Sequence, residues 1–253
     1  MRVYLDFNII VSIIKKDISL DYVLKNINVS DEYELPFSSA HIYEVDNITA
    51  NDSKIRLKHI VEHLKMLKIL TNSLYLYHEL PTNNVLSLNE SPFEVYKTIT
   101  EGIIDCKPIF RNMVNVVSDE QKDDLRASLG LDKRHLNNYN PQEVIKHLDT
   151  KIIGLGMSCL ELIEYGITLH PDGKSFGLHN RFAGIFELLD MFGYWTDKIT
   201  TSSNVARLWD SSHCYFASFC DYFVSDDKRT RNKAQVAYDI YGLKTKILSS
   251  KGE

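Results

Sequence analysis

Val3-Tyr-Leu-Asp-Phe-Asn-Ile-Ile10 is the stretch of sequence that decides the fold. Its first three residues form a short apolar run, which is typical of a strand in a parallel sheet that is buried on both faces. The run ends at Asp6, and isoleucines then recur at positions 9, 10, 13 and 14 with helical spacing. The chain therefore opens as a strand, an acidic turn and a helix.

The same pattern returns farther along the chain. Glu34-Leu-Pro-Phe37 predicts a second strand, and Ser38 and Ser39 are candidate N-caps for a helix that continues to Ile48. Glu44 is expected about one turn inside that helix. Strands that alternate with helices favour a mostly parallel sheet.

The C-terminal third repeats the alternation. Asp210 is expected to begin a helix, and Tyr222-Phe-Val-Ser225 predicts a strand followed by two aspartates. A helix is predicted over Lys228–Tyr241, because Gly242 is a favourable residue for ending one. Residues 244–248 predict the last strand.

The middle of the chain differs, because long helical patterns dominate it and few strands are expected. We predict helices over 55–70, 92–104, 119–128, 141–165 and 180–192, and loops over 83–91 and 166–179. The predicted fold class is α/β, with a single domain over residues 1–253. About 1–50 and 201–253 build its core, and a large α-helical insertion lies within about 51–200.

Composition limits the classes of protein to which the chain can belong. It has 253 residues, of which 44% are hydrophobic and 25% charged, as in an ordinary globular protein. No apolar run reaches the roughly 18 residues that a membrane helix needs, and we expect neither a secretion leader nor a membrane partner. The cysteines lack the spacing of a zinc site, which predicts reduced thiols in a cytoplasmic protein. They are Cys106, Cys159, Cys214 and Cys220.

The net charge is −5, which is the wrong sign for a protein that holds nucleic acid by bulk electrostatics. The charge is unevenly distributed, however. Residues 228–253 hold seven basic and two acidic residues and so carry +5, which leaves −10 on residues 1–227.

Several acidic residues lie at positions where α/β proteins commonly have catalytic or ligand-binding groups. Asp6 and Asp227, with Asp226 beside it, follow strands, and ligands of open α/β sheets bind at the carboxyl ends of strands. Asp210 and Glu44 lie on helices that could bring them to the same cleft. Each acid alone has an ordinary explanation as a turn, cap or surface residue.

Carboxylates gathered in one cleft need a cation, because acidic groups at such short distances do not all stay ionised. Oxygen ligands suit Mg²⁺ or Mn²⁺, and such ions can activate water and stabilise the departing oxygen of a phosphodiester.

The chain resembles the PIN-domain nucleases in five segments that cover about 100 residues. Asp6-Phe-Asn8 resembles the family's Asp-x-Asn opening, and Ser39-Ala-His-Ile-Tyr-Glu44 the segment with its second acid. Asp210-Ser-Ser-His213-Cys-Tyr-Phe-Ala217 is similar to a helix of the family, Tyr222-Phe-Val-Ser225-Asp-Asp227 to a strand end, and 244–248 to its closing strand.

This resemblance implies a three-layer PIN-like fold in which a central, mostly parallel sheet is flanked by helices. It implies four metal-binding catalytic acids and two residues that orient them by hydrogen bonds. The acids are Asp6, Glu44, Asp210 and Asp227, and the orienting residues are Asn8 and Ser225. The Ser/Thr-x-Asp spacing selects Asp227 over Asp226, although that choice stays open.

The implied activity is Mg²⁺- or Mn²⁺-dependent cleavage of RNA by an endoribonuclease, such as a toxin or defence effector, and DNA stays open as a substrate. His213 lies one turn after Asp210, either near the substrate or as a packed histidine. Lys228, Arg229 and Arg231 are candidates for contacts with phosphates, or for a solvated helix face.

Two alternatives remain. The chain could be a catalytically idle PIN-like scaffold that acts through its helical insertion, which is also where an inhibitor, an effector or a second copy could bind. It could instead be a phosphatase with an Asp-x-Asp opening, but Asn8 replaces the second carboxylate.

Overall fold

The computed structural model divides into two compact units. The first is made of Met1–Ile104, Phe216–Lys228 and Lys244–Glu253, and the second of Asp105–Tyr215 and Arg229–Leu243. The structure describes residues 1–30, 32–80, 82–101, 118–168, 176–196 and 201–253.

The described strands are β1 (Val3–Leu5), β2 (Phe37–Ser38), β3 (Leu74–Glu79), β4 (Asn84–Asn89), β5 (Tyr222–Val224) and β6 (Lys246–Leu248). The helices of the first half are α1 (Phe7–Ile14), α2 (Leu20–Asn26), α3 (Ser39–Asp46), α4 (Ser53–Thr71) and α5 (Pro92–Glu101). They are followed by α6 (Asp119–Ser128), α7 (Lys133–Leu136), α8 (Pro141–Ile152), α9 (Cys159–Thr168), α10 (Gly177–Phe192), α11 (Thr201–Ala217) and α12 (Lys228–Tyr241).

A parallel sheet forms the centre of the first unit. Its strand order is β1-β5-β6, with Leu5 opposite Val224 and Val224 opposite Leu248. The carboxyl ends of β1 and β5 therefore meet at one edge of the sheet. A second sheet pairs β2 with β3 in parallel and β3 with β4 antiparallel, and a parallel bridge from Arg2 to Glu34 links β1 to the segment before β2.

The core of the first unit explains why β1 is apolar along its whole length. Val3, Tyr4 and Leu5 are all buried, as expected of a parallel strand that is covered on both faces. Helices α1, α3 and α4 contribute the residues that recur at helical spacing and pack around the strands. These residues include Ile9, Ile10, Ile42, Val45, Ile60, Leu64 and Leu67.

The second unit is helical in its described part. Helices α9 and α10 pack closely at Gly184, where an added Cβ would lie 2.7 Å from Cγ2 of Ile163. Charged side chains are also buried here. Asp190 on α10 forms ion pairs with Lys122 on α6 (2.9 Å) and Arg207 on α11 (3.0 Å), and all three side chains are under 10% exposed.

Several predictions from the sequence are confirmed. The chain is a mixed α/β protein with a parallel sheet. Strand β1 and helices α6 and α12 have the predicted bounds, and Gly242 follows α12 with a φ of +61°. The side chain of Ser38 is the N-cap of α3. The PIN-like topology stays a prediction.

Other predictions are wrong. Residues 84–89 form β4 and pair with β3, although 83–91 was predicted as a loop. The helix expected over 141–165 divides into α8, a 3₁₀ turn over Ile153–Leu155, and α9, because Gly156 takes a φ of +68°. Gly166 lies inside α9, and Gly177 begins α10, so both ends of the loop predicted at 166–179 are helical.

Strand β2 covers only the end of the predicted 34–37 segment. Residues 102–104 of a predicted helix, residues 169–175 of a predicted loop, and Cys106 lie outside the described residues. Cys159, Cys214 and Cys220 are buried free thiols. None of the helices in the described ranges combines the length and apolar composition needed to cross a membrane.

Candidate functional site

Asp6 stands at the carboxyl end of β1, and its backbone continues the sheet. Its N–H donates to the carbonyl of Val224 at 2.8 Å, and its carboxylate Oδ1 accepts from the N–H of Phe7 at 2.8 Å. Asp6 is thus the N-cap of α1, the ordinary structural role expected of an aspartate after a strand. That role occupies only one carboxylate oxygen.

The second oxygen of Asp6 is oriented by Asn8 and Ser225. Oδ2 accepts from Asn8 Nδ2 at 2.6 Å and from the hydroxyl of Ser225 at 2.5 Å. Asn8 Nδ2 also lies 3.1 Å from Ser225 Oγ. Since Asp6 and Ser225 are buried, two neighbouring strands hold this carboxylate in one orientation.

The two aspartates after β5 are held differently. Both carboxylate oxygens of Asp226 accept from Ser250, one from its N–H and one from its hydroxyl, each at 2.8 Å. The backbone N–H of Asp227 donates to Ser225 Oγ at 3.2 Å, which ties Asp227 to the group that orients Asp6. Asp226 therefore anchors the C-terminal turn, while the assignment of Asp227 as the fourth acid stays a prediction.

Glu44 on α3 reaches the end of β1. A carboxylate oxygen of Glu44 lies within 4.8 Å of one of Asp6, so the first unit by itself brings two of the predicted acids together. Glu44 as a whole residue is half-buried, but its carboxyl group is shielded from solvent, and this burial raises its pKa from 4.5 to about 8. A neutral Glu44 beside Asp6 fits the rule that adjacent buried carboxyls do not both stay ionised without a cation.

A buried network behind the acids positions α3 against β1, and the sequence interpretation assigned it no role. His41 Nδ1 accepts from the N–H of Ser38 at 3.1 Å, so Nε2 carries the proton and donates to the carbonyl of Leu5 at 2.8 Å. The hydroxyl of Tyr4 lies 2.6 Å from Ser38 Oγ, and burial keeps the pKa of Tyr4 well above its usual value.

Leu5 directly precedes Asp6, and His41 lies one turn before Glu44, so His41 connects the backbones that carry both acids. The sequence contains a pattern that could have predicted the structural role of His41. Ser38 and His41 have the three-residue spacing of a capping box, and both of its reciprocal hydrogen bonds are present.

Asp210 and His213 lie on α11, in the second unit. Asp210 was predicted to begin a helix, but α11 begins at Thr201, nine residues earlier, so Asp210 is inside the helix and not at its N-cap. His213 follows one turn later and is fully buried, as expected of a packed histidine. Their participation with the acids of the first unit stays a prediction.

Three basic residues open α12 directly after Asp227. Lys228 is exposed, and Arg229 and Arg231 are half-buried. Lys233, one turn farther on, is buried and lies 5.9 Å above the ring of Phe186. The role of the first three in contacting phosphates stays a prediction.

The donor set of the first unit fits a divalent cation of the hard type. Asp6 and Glu44 supply carboxylate oxygens within 4.8 Å of each other, and Mg²⁺ and Mn²⁺ prefer such ligands. Comparison of the chain with protein-family models, with curated proteins and with solved structures gave no significant match. What the site does has to follow from its own residues.

Proposed function

We propose that this protein is a Mg²⁺- or Mn²⁺-dependent endoribonuclease. The observation that supports it is the approach of the Asp6 and Glu44 carboxylates to within 4.8 Å at the carboxyl end of β1, a strand of the parallel sheet. Burying two carboxyl groups together costs stability, and a site for a cation gives that arrangement a use. The proposal includes a role as a toxin or defence effector.

Asp6 and Glu44 would hold the ion, and Asp210 and Asp227 are proposed as further ligands on the basis of the sequence. A bound Mg²⁺ or Mn²⁺ supplies an activated water and stabilises charge on the phosphate. Asn8 and Ser225 hold Oδ2 of Asp6 in a fixed orientation, because hydrogen-bond partners of a metal ligand restrict how that ligand can turn. Asp226 is left out of the proposed ligand set because two hydrogen bonds from Ser250 hold its carboxylate at the C-terminal turn.

Contacts with the substrate are proposed for the start of α12 and for α11. Lys228, Arg229 and Arg231 follow Asp227 at once, so phosphates near the acids would meet cationic side chains. His213 is proposed as a positioning residue near the acids. The buried hydrogen bonds of His41 with Tyr4 and with the Leu5 carbonyl are proposed to hold α3 against β1.

The proposal is tested by incubating a single-stranded RNA with the purified protein and Mn²⁺ or Mg²⁺. We expect internal cleavage that stops with a chelator and falls to background in Asp6→Asn and Asp210→Asn. Asp17→Asn, an exposed aspartate in the same first unit, is the matched control and should cleave as the wild type does. Cleavage that survives both active-site substitutions would overturn the proposal.

The alternative is a scaffold that uses the fold without catalysis. It is favoured by the presence of a second compact unit, which a minimal nuclease does not need. Calorimetry with Mn²⁺ separates the two proposals. Binding that Asp6→Asn abolishes supports the nuclease, whereas no binding to the wild type supports the scaffold.

A further inference from the structure

Helix α4 has an exposed face that is strongly basic in a chain whose net charge is negative. Its 19 residues contain five cationic side chains and one acidic side chain, and four of the five are exposed lysines. These are Lys54, Lys58, Lys65 and Lys68. The helix holds five of the ten Lys and Arg residues found between positions 1 and 104.

The lysines lie on one side of the helix because of their spacing. Lys54, Lys58 and Lys65 are separated by four and seven residues, which places them on one face, and Lys68 lies at its margin. From Lys54 to Lys68 the face extends about 21 Å at the usual rise of a helix. The side chain of Lys58 is 72% exposed, so it is available to a partner.

The opposite face of α4 is already used. Ile60, Leu64 and Leu67 are buried in the core of the first unit, at the spacing of an amphipathic helix. A helix that binds a membrane surface needs that apolar face for the lipid, so α4 is not free to bind in this way. Outward it presents a row of positive charges, with the exposed side chains of Ile55, Leu57 and Ile69 beside them.

Helix α4 also lies beside the acidic turn in the same unit. The ring of Phe7, the residue after Asp6, lies 5.7 Å from the ring of His63 on α4. At about 100° per residue, His63 lies on the flank of α4 away from the four lysines, so an RNA bound at Asp6 reaches them by crossing the outer face of this helix.

We propose that the lysine face of α4 binds the phosphate backbone of the RNA on one side of the cleaved bond. This proposal rests on the nuclease proposed above, and it assigns substrate contacts to residues other than those that open α12. Phosphates are the partner that matches the charge, and lysines act on them as point charges that release counterions. Glu62, paired with Lys58 at 3.8 Å, is the one acidic residue on the helix.

The test measures binding of a fluorescent 20-nucleotide single-stranded RNA by anisotropy, with a chelator present so that nothing is cleaved. Lys58→Ala/Lys65→Ala should weaken binding roughly tenfold near 150 mM salt, and should reduce the slope of log K against log salt by about 1.4, since each lost phosphate contact removes about 0.7. Lys15→Ala/Lys25→Ala is the matched control, because it removes the same charge from exposed positions of the same unit outside α4.

A substitution in the opposite direction makes the test sharper. Glu62→Gln removes the acidic side chain of this helix and should strengthen RNA binding about twofold to fivefold, which no loss of folding can do. Equal weakening in both lysine pairs, or no change in the α4 pair, overturns the proposal. So does equal competition by polyglutamate, which would identify the face as a docking surface for an acidic protein.

Failure of this proposal is distinguishable from failure of the nuclease. Cleavage of RNA with unchanged binding in the α4 variant rejects only the surface. RNA binding that depends on α4, without cleavage in Mn²⁺ or Mg²⁺, rejects only the nuclease.

Discussion

Ser225 Oγ donates a hydrogen bond to Asp6 Oδ2 across 219 residues of sequence. The contact exists because β1 and β5 are neighbouring parallel strands in which Leu5 lies opposite Val224, so the residues that follow them face each other. A hydroxyl directly after one strand thereby determines how the carboxylate after the next strand is oriented.

Replacing Ser225 with alanine tests this relationship. Ser225→Ala removes a hydrogen bond to a buried carboxylate, and we expect a loss of about 1.5–3 kcal/mol in the free energy of unfolding. Loss of a group that orients a metal ligand typically weakens metal affinity tenfold to a hundredfold, which calorimetry with Mn²⁺ measures. Ser225→Thr keeps the hydroxyl and should retain most of the affinity. Equal affinities in Ser225→Ala and the wild type would show that the hydroxyl does not orient a ligand.

His41 should matter for stability although it lies outside the acidic pair. His41→Phe leaves the Leu5 carbonyl and the Ser38 N–H without their partner in a buried place, at about 1–3 kcal/mol for each. We therefore expect the free energy of unfolding in urea to fall by about 2–6 kcal/mol. His59→Phe, at a half-exposed position on α4, is the control and should change it by no more than about 0.5 kcal/mol. Similar losses in both variants would contradict the network.

The raised pKa of Glu44 predicts that metal binding releases a proton. With a pKa of about 8, the carboxyl is mostly protonated at pH 7 in the metal-free protein, and it must lose that proton to bind an ion. Calorimetry in buffers of different ionisation enthalpy should therefore detect release of about one proton per Mn²⁺ at pH 7 and much less at pH 9. Glu44→Gln, which has no proton to release, should abolish that difference if it binds at all.

The same pKa also determines how stability depends on pH. The folded carboxyl holds its proton more tightly than the unfolded one, whose pKa is near 4.5. The free energy of unfolding of the metal-free protein should therefore fall as the pH rises from about 4.5 to about 8. Glu44→Gln should flatten that decline, and an unchanged pH profile in this variant would contradict the role of burial.

Among the described charged residues of the second unit, Asp190 is the one whose substitution we expect to reduce stability most. Burial alone would raise its pKa, but Arg207, Lys233 and Lys122 hold that pKa below its usual value, so the carboxylate is ionised among cations. Asp190→Asn removes the carboxylate paired with Lys122 and one of the two carboxylates paired with Arg207, and breaking a buried ion pair typically costs about 3–5 kcal/mol.

Hydrogen exchange followed by mass spectrometry measures this effect in the second unit separately, which a single unfolding curve of a two-unit chain does not. Peptides from α10 and α11 should exchange faster in Asp190→Asn. Asp239→Asn, an exposed position on α12, should leave their rates nearly unchanged. Identical protection in both variants would show that the ion pairs do not stabilise these helices.

Local sequence patterns predicted the elements that local chemistry determines. Three buried residues before Asp6 specify β1, and Gly242, which takes a φ of +61°, ends α12 where the sequence indicated. The proximity of Asp6 and Glu44 was also predictable. Asp6 directly follows one predicted strand, and Glu44 lies about one turn inside the helix that follows the next predicted strand. The role of Ser225 in orienting an acid was expected from the family resemblance alone, and the pairing of β1 with β5 was not predicted.

Interactions between distant residues account for what was missed. Residues 84–89 have no charge and no strong periodicity, so only their pairing with β3 identifies them as a strand. The role of Asp226 depends on Ser250, a partner 24 residues away that no local pattern indicates. Asp210 resembles an N-cap in isolation, yet α11 begins nine residues earlier.

The two aspartates after β5 should differ in their roles. We expect Asp226 to stabilise the fold and Asp227 to take part in cleavage. Asp226→Ala removes two hydrogen bonds to Ser250 at an exposed position, so we expect a loss of about 1–2 kcal/mol in the free energy of unfolding and cleavage close to that of the wild type. Asp227→Ala should do the reverse, with near-normal stability and RNA cleavage reduced to background.

Measuring both variants for both quantities provides the controls, because each variant is the other's reference. The backbone N–H of Asp227 donates to Ser225 Oγ, and this contact with the Asp6 site remains when the side chain of Asp227 is removed. A change in cleavage would therefore report the missing carboxylate. If Asp226→Ala abolishes cleavage at a temperature where the protein is fully folded, Asp226 belongs to the catalytic set and the division proposed here is wrong.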